Sequence, residues 1–127
     1  MPAEGVITTS SLKDYIKTES KKRGLDYKVV YAVIEVESRW QADLVGDRGE
    51  SFGLGQVQPK WHRERMAKLG VTDLLNPYDN SLVVIDILDE LMGKYGLEGA
   101  LNAYNTGNPD CNNGYAEQVK EVMECTK

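Results

Sequence analysis

Val33-Ile34-Glu35-Val36-Glu37-Ser38-Arg39-Trp40, continuing as Q-A-D-L-V-G-D-R-G-E-S-F-G-L-G-Q-V-Q-P over residues 41–59, is the stretch whose reading decides the fold. The apolar run over residues 29–36 has a composition that suits a buried strand, since valine, isoleucine and tyrosine favour sheets. Its spacing predicts a helix instead. Asp26 stands where an N-cap belongs, and Val30, Val33, Ile34 and Glu37 recur at i, i+3, i+4 and i+7, one helical face. A helix over residues 27–39 therefore ends its core-facing stripe on a carboxylate.

Glu35 lies roughly 200° around that helix from Glu37 and falls on the polar side with Lys28 and Arg39. Glu37 meets the apolar wall, and burial disfavours the ionised carboxylate, so its pKa is expected to rise. A rise from about 4.3 to about 6 costs the fold roughly 2.3 kcal/mol at neutral pH. A carboxyl that keeps its proton near neutrality can donate it.

Downstream, residues 41–56 carry Asp47 and four glycines, too many for a long helix, and read as a structured loop with short strand pairing. Working outward, Ser11 is expected to cap a helix over residues 12–23 that Gly24 stops, after a flexible tail over residues 1–9. Pro59 opens a helix reaching Leu69, closed by Gly70. Trp61 reads either as core or as a stacking platform for a ligand ring, and core is preferred for it as for Trp40. Asn76-Pro77 opens the longest apolar stripe, Leu82, Ile85, Leu88, Leu91, Met92 and Tyr95, ended by Gly96, with Asp86 and Asp89 on a wet outer face. A short helix over residues 98–104 and a last one over residues 115–124 complete a mostly α, compact domain over residues 10–127.

Its 127 residues suffice for one domain with a core of its own. A net charge of −5 excludes nucleic acid as the expected partner, because phosphate binding needs clustered cations. The clusters Lys21-Lys22-Arg23 and His62-Arg63-Glu64-Arg65 are short and read as solvated helix faces. No apolar run approaches a membrane span. A single histidine, His62, far in sequence from both Cys111 and Cys125, argues against a zinc site; no metal and no cofactor are expected. The two cysteines could staple the last helix to the loop before it or stay reduced, depending on compartment. The N-terminus lacks the basic-then-apolar pattern of a secretory signal. Delivery in a phage particle, release by lysis, or origin in a longer protein would each bring such a chain to its target.

E-S-x-W, then G-D-R-G-x-S-F-G-L-G-Q-V-Q-P, then Ala103-Tyr104-Asn105-Thr106-Gly107 resemble, in order, the motifs of the peptidoglycan-cleaving family that includes soluble lytic transglycosylases and goose-type lysozymes. The resemblance runs from about residue 26 to about residue 122. It implies a lysozyme-like helical domain with a glycine-rich loop or small β region beside a cleft. It also implies a monomer acting on peptidoglycan glycan strands at the bacterial cell wall. Glu37 would be the acid that protonates the departing sugar oxygen. In the family it then takes the proton of the sugar's own 6-hydroxyl, which closes a 1,6-anhydro ring; that attack is intramolecular, so one carboxylate suffices. Asp47 in G-D-R-G resembles the aspartate with which goose-type members assist a water, so inverting hydrolysis stays open, although Gln58 replaces a further carboxylate of that pattern. By the same resemblance Gln56 and Asn105 bind sugar substituents, Tyr104 lines the cleft, Ser38 and Ser51 support it, and Tyr115 holds the glutamate. Gly55 stands where the family usually has methionine, which is expected to widen a subsite or loosen the loop. A binding or virion module that kept the fold and lost turnover is the alternative from another class.

Overall fold

The computed structural model describes residues 9–126. Among these, five α-helices form the body: α1 (Thr9–Lys22), α2 (Tyr27–Ser38), α3 (Arg63–Leu69), α4 (Pro77–Thr106) and α5 (Tyr115–Cys125). An antiparallel hairpin of β1 (Val45–Gly46) and β2 (Ser51–Phe52), paired Val45 to Phe52 and Gly46 to Ser51, separates α2 from α3. The mostly helical domain with a small β region expected from the sequence is what forms.

The α2 helix is the hub. The Asp26 side chain accepts the Lys28 N–H at 3.0 Å, which satisfies a donor the first turn leaves unpaired. Six consecutive residues of the helix, 29–34, are buried. It packs chiefly against α5, while α1 packs on α4. Val30, Val33 and Ile34 thereby join Val84, Leu88, Leu101 and Val119 in one core. Arg39 and Trp40 both take left-handed conformations, φ 53° and 65°, and turn the chain sharply into the hairpin.

The helix ends follow local chemistry with some corrections. Of the tail expected over residues 1–9, residues 1–8 lie outside the described residues and Thr9 already opens α1. Ser11 is thus inside the helix, because T-T-S-S offers several residues able to cap and the motif does not choose among them. Gly24 does stop α1: its φ is +68°, its N–H reaches Lys21 O, and Leu25 N–H reaches back to Ser20 O. The helix expected from Pro59 is a 3-10 turn (Pro59–Trp61), a break at His62, and α3.

Asn76 caps α4 by accepting from Tyr78 N–H and Asp79 N–H. As expected, the helix breaks at Gly96, whose φ 75° and ψ −176° are non-helical, so α4 is two helical stretches joined there without a loop. The buried face of α4 is wider than the predicted stripe. Asn80, Ser81, Val83, Val84, Ile85, Ile87 and Leu88 are all enclosed, whereas Tyr95 is 46% exposed. Neighbours on several sides bury more than one stripe, which periodicity alone does not report.

Asp86 is not on a wet face: its side chain is 12% exposed and holds two guanidinium groups. Arg23 Nη1 donates to Oδ1 at 2.5 Å, and Arg65 Nη1 donates to Oδ2. Arg65 Nη2 also reaches Glu90 Oε1 at 2.7 Å. One residue from each basic cluster is thus withdrawn from solvent to tie the end of α1 and α3 to α4. Burial alone would raise the Asp86 pKa, but the two arginine hydrogen bonds and their charges together hold it below the ordinary range. Cys111 and Cys125 are exposed free thiols. Among the described residues no helix is long and apolar enough to cross a membrane.

Candidate active site

The last turn of α2 presents Glu37 to the first turn of α5, where the Tyr115 hydroxyl donates to Glu37 Oε2 at 2.8 Å. Three forces act on the carboxyl's proton. Desolvation raises its pKa most, the Tyr115 hydrogen bond lowers it by stabilising the charged form, and the charge of Asp47 raises it again. Burial wins, and the group is pushed from the ordinary 4.5 to about 7. The side chain nevertheless keeps part of its surface open to solvent.

Burial pushes both nearby tyrosine hydroxyls above the usual range, and the charge of Glu37 adds to each. Tyr115 therefore stays a neutral donor. Its backbone is fixed by Asn113, whose Oδ1 accepts the Tyr115 N–H at 3.2 Å and whose Nδ2 donates to Asn105 Oδ1 at 2.8 Å. The A-Y-N turn that ends α4 is in this way connected through Asn113 and Tyr115 to Glu37.

Tyr104 serves the opposite wall, its hydroxyl donating to Gly55 O at 2.8 Å. Gly55 N–H in turn donates to Asn80 Oδ1 at 2.9 Å, and Asn80 Nδ2 donates to Phe52 O and Leu74 O, each at 2.8 Å. A β-carbon at Gly55 would stand 2.2 Å from Val84 Cγ2 and 2.7 Å from the Tyr104 hydroxyl. The expectation that Gly55 widens or loosens the cleft is corrected: Val84 and Tyr104 fill the space, and the loop is clamped. Asn80 was missed from the sequence. Its signal was a polar residue on the apolar stripe, at i to Val84 at i+4 and Ile87 at i+7.

Gln56 sits in a left-handed conformation, φ 49°, and its Nε2 donates to Leu44 O and Gly53 O, bracing the hairpin. Asp47, exposed at φ 49°, accepts the Ser51 hydroxyl on Oδ2 at 2.6 Å. Ser38 is buried and its hydroxyl donates back to Ile34 O. Glu37, Tyr104 and Tyr115 are thus gathered together, with Asp47 close enough for its charge to reach Glu37. Asn105 is linked to them through Asn113, Gln56 and Ser51 belong to the hairpin, and Ser38 is turned into its own helix. Trp61, assigned to the core from the sequence, is 71% exposed, because the break at His62 leaves it on a short turn outside the helical packing. Trp40 does pack on the core, edge-to-face with Tyr31. Among the described residues no group of three or more His, Cys, Asp or Glu side chains is placed to hold a metal ion.

A helical domain with a small hairpin beside the end of a buried helix defines a lysozyme-like fold. The chain matches the Transglycosylase SLT domain over residues 14–122 and belongs to that family. Its fold is similar to that of a lytic transglycosylase Slt from Pseudomonas aeruginosa, solved as an inactive mutant, with a TM-score of 0.66 and 23% identity. That match covers 87% of this chain and 20% of the other, so the chain spans about one fifth of the length of that protein.

Proposed function

We propose that this chain degrades peptidoglycan as a lytic transglycosylase, cleaving the β-1,4 bond between N-acetylmuramic acid and N-acetylglucosamine, with Glu37 as both acid and base. Family membership supports the substrate and the reaction class. The observation that carries the assignment is the Glu37 carboxyl itself, raised to about 7 by burial and oriented by Tyr115. Protonated, it gives its proton to the leaving O4 of N-acetylglucosamine as the C1–O4 bond breaks and positive charge builds on the muramyl ring. Ionised, it takes the proton of the C6 hydroxyl as O6 bonds to C1. The product is a 1,6-anhydro ring, no water is consumed, and the acid is restored.

Tyr104, Gln56 and Asn105 are proposed to line the substrate's path, with Ser38 and Ser51 as supporting polar groups. The protein would act as a monomer at the bacterial cell wall. Digestion of purified wall followed by mass spectrometry tests the reading: anhydro-muramyl ends are expected from the wild type and none from Glu37→Gln. Absence of soluble fragments from the wild type at every pH would overturn it. One observation favours a second reading, inverting hydrolysis with Asp47 activating a water, because the Asp47 charge already acts on Glu37. Reducing ends in the same digest would establish that outcome.

A further inference from the structure

Trp61 is the largest side chain that the packing leaves in water, yet it is held at its edge and on one face. Its indole N–H donates to Gln58 Oε1 at 3.0 Å, and the Lys60 ammonium lies 5.4 Å from the ring centroid. Lys60 is itself bonded to Glu50 Oε1 at 3.0 Å. An exposed indole with no task is free to rotate, whereas this one has a set orientation.

The hydrogen bonds continue inward. Gln58 Nε2 donates to Ser51 Oγ at 3.1 Å, and the Ser51 hydroxyl donates to Asp47 Oδ2 at 2.6 Å. Their order is dictated from the indole end. An indole N–H can only donate, so the Gln58 carbonyl must face it and the Gln58 amide must face Ser51. Ser51 then accepts from Gln58 and directs its one proton at Asp47, which accepts. A carboxylate at position 58 could accept from Trp61 but could not donate to Ser51. Glutamine is the side chain that serves both neighbours.

We propose that Trp61 is a sugar-stacking subsite for a distal ring of the glycan strand, held in register with Asp47 through Gln58 and Ser51. The proposal rests on the reading of the chain as a glycan-cleaving enzyme. An indole offers a broad apolar face to the C–H face of a pyranose, and its N–H is already satisfied, so stacking strands no polar group. A shallow groove of about 480 Å³ runs along this face; beside Trp61 its lining mixes the cations Lys60, Arg63 and Lys68 with Glu64 and with the Arg65–Asp86–Glu90 cluster. Arg63 and Lys68 would meet the lactyl carboxylates that peptide-free muramyl residues expose. The bonds from Trp61 through Gln58 and Ser51 end on Asp47, whose charge reaches Glu37, and so tie the indole's position to the candidate acid.

The test is calorimetric binding of peptide-free glycan strands of increasing length to the Glu37→Gln protein, alone and with Trp61→Ala, Trp61→Phe or Gln58→Leu added. For the parent, affinity rises with length and takes a further step once a strand reaches Trp61. Trp61→Ala removes that step, about tenfold in Kd for long strands, Trp61→Phe restores most of it, and Gln58→Leu loses a smaller part. Parallel length dependence in the parent and Trp61→Ala overturns the proposal, as does a loss that Trp61→Phe fails to recover. Binding with the expected step by a protein whose wild type yields no wall fragments would sink the enzymatic reading while leaving the subsite. No binding at any length by a folded parent overturns both.

Discussion

Glu37 at the end of α2 and Asp86 in the middle of α4 are both carboxyl groups drawn against the helical core, and their surroundings treat the same proton in opposite ways. Glu37 is desolvated, with one neutral hydroxyl and the charge of Asp47 as its polar neighbours and no cation among the described residues to offset burial, so its pKa rises to about 7. Asp86 is also desolvated, but Arg23 and Arg65 grip both of its oxygens and its pKa falls. Burial alone does not set the sign of a shift; the compensation supplied by neighbours does. The first carboxyl is kept able to give up a proton near neutrality. The second is kept charged and ties three helices together.

The largest effect expected is on activity. Glu37→Gln should lower wall digestion by a thousandfold or more, roughly 4 kcal/mol of transition-state stabilisation, as followed by release of soluble fragments. It should do so without destabilising the fold. A folded-state pKa above the unfolded one leaves no penalty below the unfolded value of about 4.5, and the penalty grows as pH rises through about 7. Thermal melts should therefore show the variant equal to wild type near pH 4 and more stable at pH 8, by at most roughly 3 kcal/mol. Lower stability of the variant at pH 8 would break the comparison outright.

Asp86→Asn should do the reverse, destabilising the protein by roughly 3 kcal/mol at pH 7, because two guanidinium groups lose their counter-charge. The stabilisation belongs to the charged form, is present above the unfolded pKa, and is lost as pH falls through the depressed folded value. Urea melts of wild type and variant should converge in acid. A constant difference between pH 7 and pH 2 would show that the pair acts through packing and not through charge.

Tyr115→Phe sharpens the contrast by removing the one group that favours the Glu37 anion. Turnover should fall about 10- to 100-fold, as expected for one hydrogen bond to a charged group. The alkaline limit of the pH–rate profile should move above 7, since the lowering influence is gone. A downward move would show that Tyr115 stabilises the protonated acid instead. The smallest effect expected is from Gly55→Met, which forces a side chain against Val84 and Tyr104 and should destabilise by about 2 kcal/mol in a chemical melt. A neutral or stabilising result would mean that the wall beside Glu37 is looser than its contacts indicate.

Much of this contrast is already written in local pattern, but unequally on its two sides. Glu37 was legible because a helix's spacing places it at the end of an apolar stripe, and the Asp26 cap and Gly24 stop fixed the register. Asp86 was misread because its arginines lie 63 and 21 residues away, and separations of that size leave no mark on periodicity. Trp61 was placed in the core because size and hydrophobicity argue for burial, while the break at His62 leaves it on a short turn before α3. Gly55 was read as open space, since a missing side chain says nothing about which neighbours move in.

Helix by helix, then, the order of elements, the Asp26 and Asn76 caps, the core face of α2 and the candidacy of Glu37 follow from the sequence alone, because each depends on residues within a turn or two of one another. Only the folded chain decides what surrounds each polar group. Tyr115 comes 78 residues later to meet Glu37, Tyr104 comes 49 residues later to meet Gly55, and two arginines converge on Asp86. Proton affinities respond to burial and neighbouring charge within a few ångströms, and it is tertiary packing that brings such distant residues that close.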